Sequence, residues 1–259
     1  MTVEPRLPIS VCIIAGNEAA RIARALESIA SWTTEIIVVL NDEVNDGTDK
    51  IAESFGAKVF REPWKGYIGQ KNSVADKAGQ PWILNLDADE VVTPELRNEI
   101  FGRFAGGNSS STAFSFPRCT FYLGRWIRHG DWYPDHCIRL WQRGRARWAG
   151  IDPHAKLIVD GRIDRLKNDL HHFSNDSVNA HIQKIIPFTD EFVRQHSQDA
   201  PDSQISGLMV RPGWRFIRAY FFRLGFLDGW QGLFIAWLNA FSTAAKYAKL
   251  REHQSRAAK

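Results

Sequence analysis

Short apolar runs alternate with segments of helical periodicity over the first third of the chain. The apolar runs show no polar alternation, which is typical of strands buried on both faces of a sheet. They cover residues 9–14, 35–40, 57–60 and 81–86. The helical patterns between them cover residues 17–32, 48–55 and 70–78. Strands and helices that alternate at this length predict an α/β fold with a mostly parallel sheet and helices on both faces.

The pattern changes twice further along the chain. Thr93 and Pro94 are typical of an N-cap and a first helical position, so another helix is expected there. After a predicted loop at residues 106–112, "GGNSSST", residues 121–150 form short mixed segments rich in Trp and Arg, which suits a lid or an acceptor-facing region. From Asp176 onward the pattern is helical, and Pro187 predicts a kink. We therefore divide the chain at residues 1–110, 111–175 and 176–259.

The composition is that of an ordinary globular protein, with 44% hydrophobic and 24% charged residues. Three cysteines without a CxxC pair indicate neither a disulfide framework nor a zinc site, so we expect an intracellular protein. The first residues lack the basic segment of a signal peptide. The apolar stretch "LFIAWLNAFSTAA" is shorter than the roughly 20 residues that a spanning helix needs. Any membrane contact is therefore expected from the surface.

Positive charge is concentrated at the C-terminal end. Residues 211–259 contain nine Lys or Arg and two Asp or Glu, a balance of +7, which leaves −3 for the first 210 residues because the whole chain carries +4. Aromatic residues alternate there with Arg211, Arg215, Arg218 and Arg223. Such helices either lie on an anionic membrane surface, which the charge favours, or cover a sheet edge with arginines extended to solvent. No nucleic-acid motif accompanies them, so no nucleic-acid partner is expected.

Polar side chains follow three of the predicted strands. They are Asn17 and Glu18, Asn41 and Asp42, and Asp87, Asp89 and Glu90. With 17 aspartates in 259 residues, about one Asp-x-Asp is expected by chance, so the position is more informative than the motif. The carboxyl ends of parallel strands share one edge, where ligands bind. Side chains at i and i+2 point to the same side, so Asp87 and Asp89 suit Mg²⁺ or Mn²⁺ bound together with a diphosphate.

Several segments are similar to a known family. "SVCIIAGNEAARIARALESI", "VVLNDEVNDGTDKIAESFGAKV", "GYIGQKNSVADKAGQPWILNLDADE" and "WYPDHCIRLW" resemble, in order and spacing, family 2 glycosyltransferases of the GT-A (Rossmann-like) fold. More narrowly, "NLDADE", "HHFSN" and "FFRLGFLDGWQGLFIAWLNAFSTAAKYAKL" resemble bacterial enzymes that add glucose to inner-core heptose of lipopolysaccharide. The resemblance implies an inverting, metal-dependent glycosyltransferase that uses a UDP-sugar, in particular UDP-glucose. It also implies a saccharide or lipid-linked acceptor and a cytoplasmic protein at the inner face of the membrane.

The same resemblance assigns roles along the chain. Residues 1–110 would bind the nucleotide-sugar, 111–175 would face the acceptor, and 176–259 would form a basic, aromatic-rich helical extension. The residues that would border the donor nucleotide are Asn17, Glu18, Asp42, Asp46 and Lys71. Asp87 would contact ribose or metal-bound water, and Asp89 would bind the cation. A divalent cation at this place neutralises the charge that develops on the leaving diphosphate.

An inverting displacement also needs a carboxylate that takes the proton of the acceptor hydroxyl. The family places an Asp or Glu a few residues before an Arg-Leu pair, and here Asp135 lies four residues before Arg139. Asp131 is the second choice for this base. The chain departs from the family at Ala155, where relatives often have Glu after the His that corresponds to His154, so no role is predicted for this pair.

The residues also allow other interpretations. Asn17 could cap the following helix. The histidines His154, His171 and His172 are more typical of structural positions than of a metal site. Arginines and tryptophans within residues 125–148 either receive an anionic saccharide or form a basic face and core. Nucleotidyl transfer and a non-catalytic saccharide- or lipid-binding protein are the competing hypotheses.

Overall fold

The chain forms two compact units. The first unit consists of Met1–Arg118 and Asp135–His172, and the second of Cys119–Pro134 and Phe173–Lys259. The computed structural model describes residues 5–106, 110–152, 154–175, 177–197 and 205–257.

Four parallel strands lie at the centre of the first unit, where the sequence predicts them. They are β1 (Leu7–Ala15), β2 (Thr33–Asn41), β3 (Lys58–Glu62) and β4 (Trp82–Asp87), in the order β3-β2-β1-β4. The helices between them are α1 (Ile22–Glu27), α2 (Thr48–Ser54) and α3 (Gly66–Asp76). Helix α1 is shorter than predicted because bends and turns occupy residues 16–21. The predicted βα units are otherwise confirmed.

Both faces of β1 are buried, as its unbroken apolar run predicts. Val11 and Ile13 belong to one apolar cluster, together with Trp32. Cys12 lies between them in sequence and belongs to a second cluster, together with Val74 of α3. Successive side chains of a strand point to opposite faces, so the two clusters lie on opposite sides of the sheet. Burial also raises the pKa of the Cys12 thiol, which therefore stays protonated.

Further strands, most of them paired antiparallel, extend this sheet, and two of them form a separate two-stranded sheet at residues 146–159. Chain residues after β4 form β5 (Glu90–Val92), helix α4 (Pro94–Ala105), β6 (Ala113–Tyr122), β7 (Arg125–Ile127), β8 (Asp135–Gln142), β9 (Ala146–Ile151), β10 (His154–Val159), β11 (Ile163–Arg165) and β12 (Leu170–Asn175). In the first unit β4 pairs with β8, β8 with β6, and β12 with β5. The α/β class is confirmed, and these strands make the sheet mixed. Their apolar and polar residues do not alternate cleanly, so the sequence predicts only short mixed segments there.

Helix α4 begins as its sequence predicts. Thr93 Oγ1 accepts a hydrogen bond from Leu96 N at 3.1 Å, and Pro94 occupies the first helical position. An N-cap of this kind contributes about 1 kcal/mol. The loop predicted after α4 at residues 106–112 includes positions 107–109, which lie outside the described residues.

The second unit is mainly helical, as predicted for the C-terminal part. Its helices are α5 (Val178–His196), α6 (Ile205–Ile217), a π-helical segment (Arg218–Phe222), a 3-10 segment (Gly225–Asp228) and α7 (Gly229–Ala257). Asp176, where the helical pattern starts, lies outside the described residues, and Pro187 is inside α5. No helix in the described parts of the chain combines the length and apolarity that crossing a membrane requires.

Candidate active site

The loops that follow β1 and β2 are joined by Asp46. Its Oδ1 accepts hydrogen bonds from Thr48 N and Oγ1 at 3.1 and 2.6 Å, and its Oδ2 accepts one from Ala19 N at 3.0 Å. Thr48 Oγ1 accepts another from Glu18 N at 3.0 Å. The bonds from Thr48 and Ala19 lower the pKa of Asp46. Asp46 therefore stays ionised and fixes the two strand ends beside one another.

Asn17 and Asp42 are the exposed residues at these strand ends. Asn17 does not cap α1, because the residue that precedes this helix is Arg21, so the capping interpretation is wrong. Arg21 instead lies near Glu18, with 3.6 Å between Nη1 and Oε2. Asn17 and Asp42 thus lie at the carboxyl edge of the sheet, where their role in binding nucleotide stays a prediction.

Asp87 ends β4 between two cations. Its Oδ1 accepts a hydrogen bond from Lys71 Nζ at 2.8 Å, and its Oδ2 accepts one from Arg139 Nη2 at 2.6 Å. Both cations are largely buried, with residue exposures of 8% for Lys71 and 5% for Arg139. Burial alone would raise the pKa of Asp87, but the positive charges of Arg139 and Lys71 outweigh it and lower the pKa. Asp87 is therefore an ionised carboxylate, and each of its oxygens accepts a hydrogen bond from a cation.

The ion pairs continue from Arg139 to the predicted base. Arg139 Nη2 also donates to Glu90 Oε1 at 2.6 Å, and Arg118 Nη1 donates to the same oxygen at 3.1 Å. Arg118 then donates to Asp135 Oδ2 from Nη2 at 2.6 Å and from Nε at 2.9 Å. Cations and carboxylates thus alternate from Lys71 to Asp135, a chain of six side chains that we call the charge relay row.

Glu90 is the least accessible member of the charge relay row. Its side chain is fully buried and accepts from two guanidinium groups. Burial would lower the pKa of Arg139, but the carboxylates of Asp87 and Glu90 raise it well above its ordinary value. Removing one partner of a buried pair leaves a charge without compensation, at a cost of about 3–5 kcal/mol. The row is therefore a rigid element between the strand end and Asp135.

Asp89 lies beside His172. The antiparallel pairing of β12 with β5 places His172 opposite Glu90, one residue after Asp89. As a result, His172 Nε2 lies 3.4 Å from Asp89 Oδ2, and both side chains remain partly accessible, at 15% and 23%. A carboxylate oxygen and an imidazole nitrogen are both ligands that divalent transition metals accept.

A divalent cation fits this pair better than it fits Asp87, whose oxygens are already bonded to Lys71 and Arg139. Among the described residues, no group of three or more His, Cys, Asp or Glu side chains converges on one point. Two protein ligands suit a cation that takes its other ligands from a diphosphate and water. The residues therefore fit Mn²⁺ or Mg²⁺ held jointly with a donor, with Asp89 and His172 as the protein ligands.

The two predicted bases lie in different units and have different surroundings. Asp135 contacts one arginine and keeps 44% of its side chain exposed. Asp131, in the second unit, accepts from Arg215, Arg218 and Arg223, and only 6% of its side chain is exposed. A base must be accessible to an acceptor hydroxyl. The geometry therefore favours Asp135.

Sequence reasoning named Glu90 among the carboxylates after β4, but it found neither Arg118 nor a ligand role for His172. Arg118 and Glu90 join the charge relay row only through the pairing of β6 with β8 and the turn after β4. His172 was assigned a structural role, and only the register of β12 brings it to Asp89. The sequence left open whether Trp141 and Trp148 stack on sugar rings or belong to the core. In the structure both lie in the second apolar cluster. Trp148 also lies under Lys71, whose Nζ is 4.6 Å from the ring centroid.

Comparison with known proteins identifies the family. The family model described as Glycosyl transferase family 2 matches residues 10–161, more than half of the chain. An uncharacterized glycosyltransferase of Rickettsia typhi is 32% identical to this chain, and the match covers 94% of this chain and 87% of the Rickettsia protein. The chain therefore belongs to glycosyl transferase family 2. It is a glycosyltransferase that depends on a nucleotide-sugar donor.

Two further similarities are more distant. The lipopolysaccharide core biosynthesis glycosyltransferase LpsC of Rhizobium meliloti is 26% identical over 93% of this chain and 92% of its own. Among solved structures, S. aureus TarS 1–349 in complex with UDP-GlcNAc has a TM-score of 0.51 at 14% identity, covering 97% of this chain and 92% of that chain. The structural likeness concerns the fold, which is GT-A as the sequence resemblance implies.

Proposed function

We propose that this glycosyltransferase transfers glucose from UDP-glucose, with inversion, to a hydroxyl of a lipopolysaccharide-core or other lipid-linked saccharide. The observation that carries the proposal is the charge relay row, which connects Asp87 at the donor edge of the sheet to Asp135. Such a row holds two carboxylates of different roles at a fixed separation. Positioning of this kind is a main source of rate acceleration in group transfer.

In this proposal Asp89 and His172 hold a divalent cation, Mn²⁺ or Mg²⁺. Their 3.4 Å separation and partial exposure support the assignment. When bound, the cation acts as a Lewis acid toward the diphosphate of the donor. A nitrogen ligand favours Mn²⁺, since Mg²⁺ prefers a complete set of oxygens. Lys71 adds a positive charge next to Asp87, so the diphosphate meets cationic groups on two sides.

Asp135 is the proposed general base. Arg118 bonds to Oδ2 only, so Oδ1 is available to accept the proton of the acceptor hydroxyl. Asn17, Glu18 and Asp42 are the proposed contacts of the nucleotide, because they lie at the ends of β1 and β2. The sugar would then lie between the donor edge and Asp135, with the row fixing the direction of attack.

The acceptor and the location rest on separate support. LpsC, a relative over almost the whole chain, is named for lipopolysaccharide core biosynthesis, which supports an acceptor of that class. The surplus of positive charge in residues 211–259 supports attachment to the anionic inner face of the cytoplasmic membrane. We therefore propose a peripheral protein that meets its lipid-linked acceptor at this surface.

The donor and metal assignments are tested by thermal unfolding. Midpoints are measured with UDP-glucose and other nucleotide-sugars, each with Mn²⁺ and with chelator, because a ligand that binds the native state raises the midpoint. UDP-glucose with Mn²⁺ should give the largest shift. Asp89→Asn should remove this shift, whereas Asp76→Asn, an exposed position on α3, should keep it. No shift with any donor would overturn the donor assignment.

The base is tested by transfer. Asp135→Asn should keep the donor-dependent shift and lose transfer to a lipopolysaccharide-core fragment, since it keeps the shape of the side chain but cannot take a proton. Transfer at the wild-type rate in Asp135→Asn would exclude Asp135 as the base.

A further inference from the structure

Three arginines of the second unit converge on one carboxylate. Asp131 Oδ1 accepts from Arg218 Nη2 at 2.9 Å and Arg223 Nη1 at 3.3 Å, and its Oδ2 accepts from Arg215 Nε at 3.3 Å. Arg215 lies in α6, Arg218 is the first residue of the π-helical segment, and Arg223 directly follows that segment. We call these four residues the arginine cluster. Its formal charge is +2, because one carboxylate opposes three guanidinium groups.

The charges of the arginine cluster are arranged toward solvent. The carboxylate of Asp131 is only 6% exposed, whereas the side chains of Arg215, Arg218 and Arg223 are 37%, 42% and 49% exposed. A guanidinium has five N–H donors, so one bond to Asp131 leaves most of them for another anion. Asp131 therefore holds three forked donors close together at the surface. Such a group matches the oxygens of a phosphate better than separate lysines would.

Exposed apolar side chains occur between and beside these arginines in the chain. Trp214 is 56% exposed, Phe221 55% and Phe222 70%, and the rings of Trp214 and Phe222 lie 5.7 Å apart. Leu224, 45% exposed, has a φ of 57°. A left-handed conformation is unfavourable for a residue with a side chain, and it commonly persists at functional sites. Apolar exposure on this scale is typical of a surface that contacts a membrane, a protein or a ligand.

The combination points to one occupant. A double-stranded nucleic acid would satisfy the arginines but would leave Trp214, Phe221 and Phe222 in water, because its bases are already stacked on one another. Aromatic rings beside cationic groups suit the interface of a bilayer, where rings enter the headgroup region and cations meet phosphate. Residues 211–259 carry +7, so the field around the cluster also attracts an anionic surface. The charge of the arginine cluster and the exposed aromatic rings beside it therefore favour an anionic lipid as the occupant.

We propose that the arginine cluster is a headgroup site, which binds the phosphate of an anionic membrane lipid while Trp214, Phe221 and Phe222 insert beside it. This inference deepens the membrane attachment of the proposed function, since it names the residues and the lipid class. Asp131 acts here as a positioning residue that holds the three arginines in one place. Every residue of the arginine cluster belongs to the second unit, whereas the proposed donor and metal residues belong to the first.

The test measures vesicle binding of the full chain without donor or acceptor, so its outcome does not depend on transfer. Phosphatidylcholine vesicles with and without phosphatidylglycerol are sedimented with the wild type and with Arg218→Gln/Arg223→Gln. The matched control is Arg251→Gln/Arg256→Gln, which removes the same charge from the end of α7. We expect the cluster variant to bind phosphatidylglycerol vesicles at least about tenfold more weakly, and the control to change only slightly.

Further arms separate the alternatives. Arg218→Lys/Arg223→Lys keeps the positive charge but loses the paired N–H donors of the guanidinium groups. Its affinity for phosphatidylglycerol vesicles should therefore lie between those of the wild type and the Gln variant. Phe221→Ser/Phe222→Ser should weaken binding to both vesicle types. If the cluster variant and the control lost vesicle affinity equally, binding would depend on a general basic face, and the headgroup site would be excluded. Binding of inorganic phosphate or RNA without binding of vesicles, or no vesicle binding by the wild type, would overturn the proposal.

Discussion

Arg118 lies directly opposite Asp135 in the register of β6 and β8, and two of its nitrogens donate to Asp135 Oδ2 at 2.6 and 2.9 Å. The third nitrogen donates to buried Glu90. The guanidinium is therefore fixed at both ends, and the orientation of the Asp135 carboxylate follows from it. This makes Arg118 a positioning residue for the proposed base, with no need for contact to substrate.

Substitution of Arg118 should affect the rate of transfer more than donor binding. In Arg118→Gln the carboxylate of Asp135 loses its fixed direction, and a misplaced reacting group can cost about 100-fold in rate. We expect kcat to fall by about this factor while the donor Kd, measured by calorimetry, stays close to that of the wild type. Arg162→Gln is the matched control, because Arg162 makes an exposed ion pair with Asp164. Unchanged kcat in a folded Arg118→Gln variant would exclude the positioning role.

His172 should control metal affinity, and its neighbour should not. Successive side chains of β12 point to opposite faces, so His171 and His172 differ in direction but not in chemistry. His172→Ala should weaken Mn²⁺ binding about 10- to 100-fold, since the cation loses one of two protein ligands. His171→Ala should leave it near the wild-type value. Mn²⁺ titration monitored by donor-dependent thermal shift measures both, and equal effects of the two variants would contradict the assignment.

The parts of the site that local sequence determines were predictable. The apolar run of β4 ends where Asp87 begins, so the strand end and its carboxylates follow from the pattern alone. Thr93 and Pro94 likewise determine the start of α4 through their own chemistry. These features depend on residues a few positions apart. A single sequence contains them completely.

The partners of those carboxylates depend on strand register, which local patterns do not contain. Arg118 is 17 positions from Asp135 and 28 from Glu90, and it meets both because β6 and β8 are antiparallel. A shift of one residue would turn Arg118 to the other face. The same reason explains His172, which reaches Asp89 only through the pairing of β12 with β5. The residues next to Asp131 in the sequence likewise do not indicate its three arginine partners, which lie 84 to 92 positions further along the chain.

Lys71 should contribute to donor affinity through its charge. Its Nζ lies 2.8 Å from Asp87 Oδ1, and the residue is largely buried. Water therefore cannot take over its hydrogen bond in a variant that lacks the amine. Lys71→Gln should weaken binding of the UDP-sugar about 10- to 100-fold, the usual loss for a hydrogen bond to a charged group. Lys58→Gln is the control, because the exposed Lys58 pairs with Glu35 near the amino ends of β3 and β2, away from the carboxyl edge of the sheet. Calorimetric titration with the donor measures both affinities. If Lys71→Gln and the wild type bound the UDP-sugar equally well, Lys71 would have no part in donor binding.

Stability of the second unit should fall in mild acid because of His181. This side chain is buried beside Tyr122, with 2.7 Å between Nδ1 and the hydroxyl. Burial first, and the charge of Lys184 second, lower the pKa of His181 from 6.5 to about 4. Above pH 6.5 the imidazole is neutral in both the folded and the unfolded state, so it does not lower the free energy of unfolding. Between pH 6.5 and about 4 it is protonated only in the unfolded chain, which favours unfolding.

The expected loss across this window is on the order of 3 kcal/mol in the free energy of unfolding. Carboxylates titrate in the same range, so the effect of His181 is isolated as a difference between variants. His181→Gln keeps a partner for Tyr122 and cannot be protonated, and its stability should therefore decline less than that of the wild type from pH 7 to pH 4.5. His253→Gln, at an exposed position, should follow the wild type. Parallel declines of His181→Gln and wild type in urea unfolding would show that protonation of His181 is not the cause.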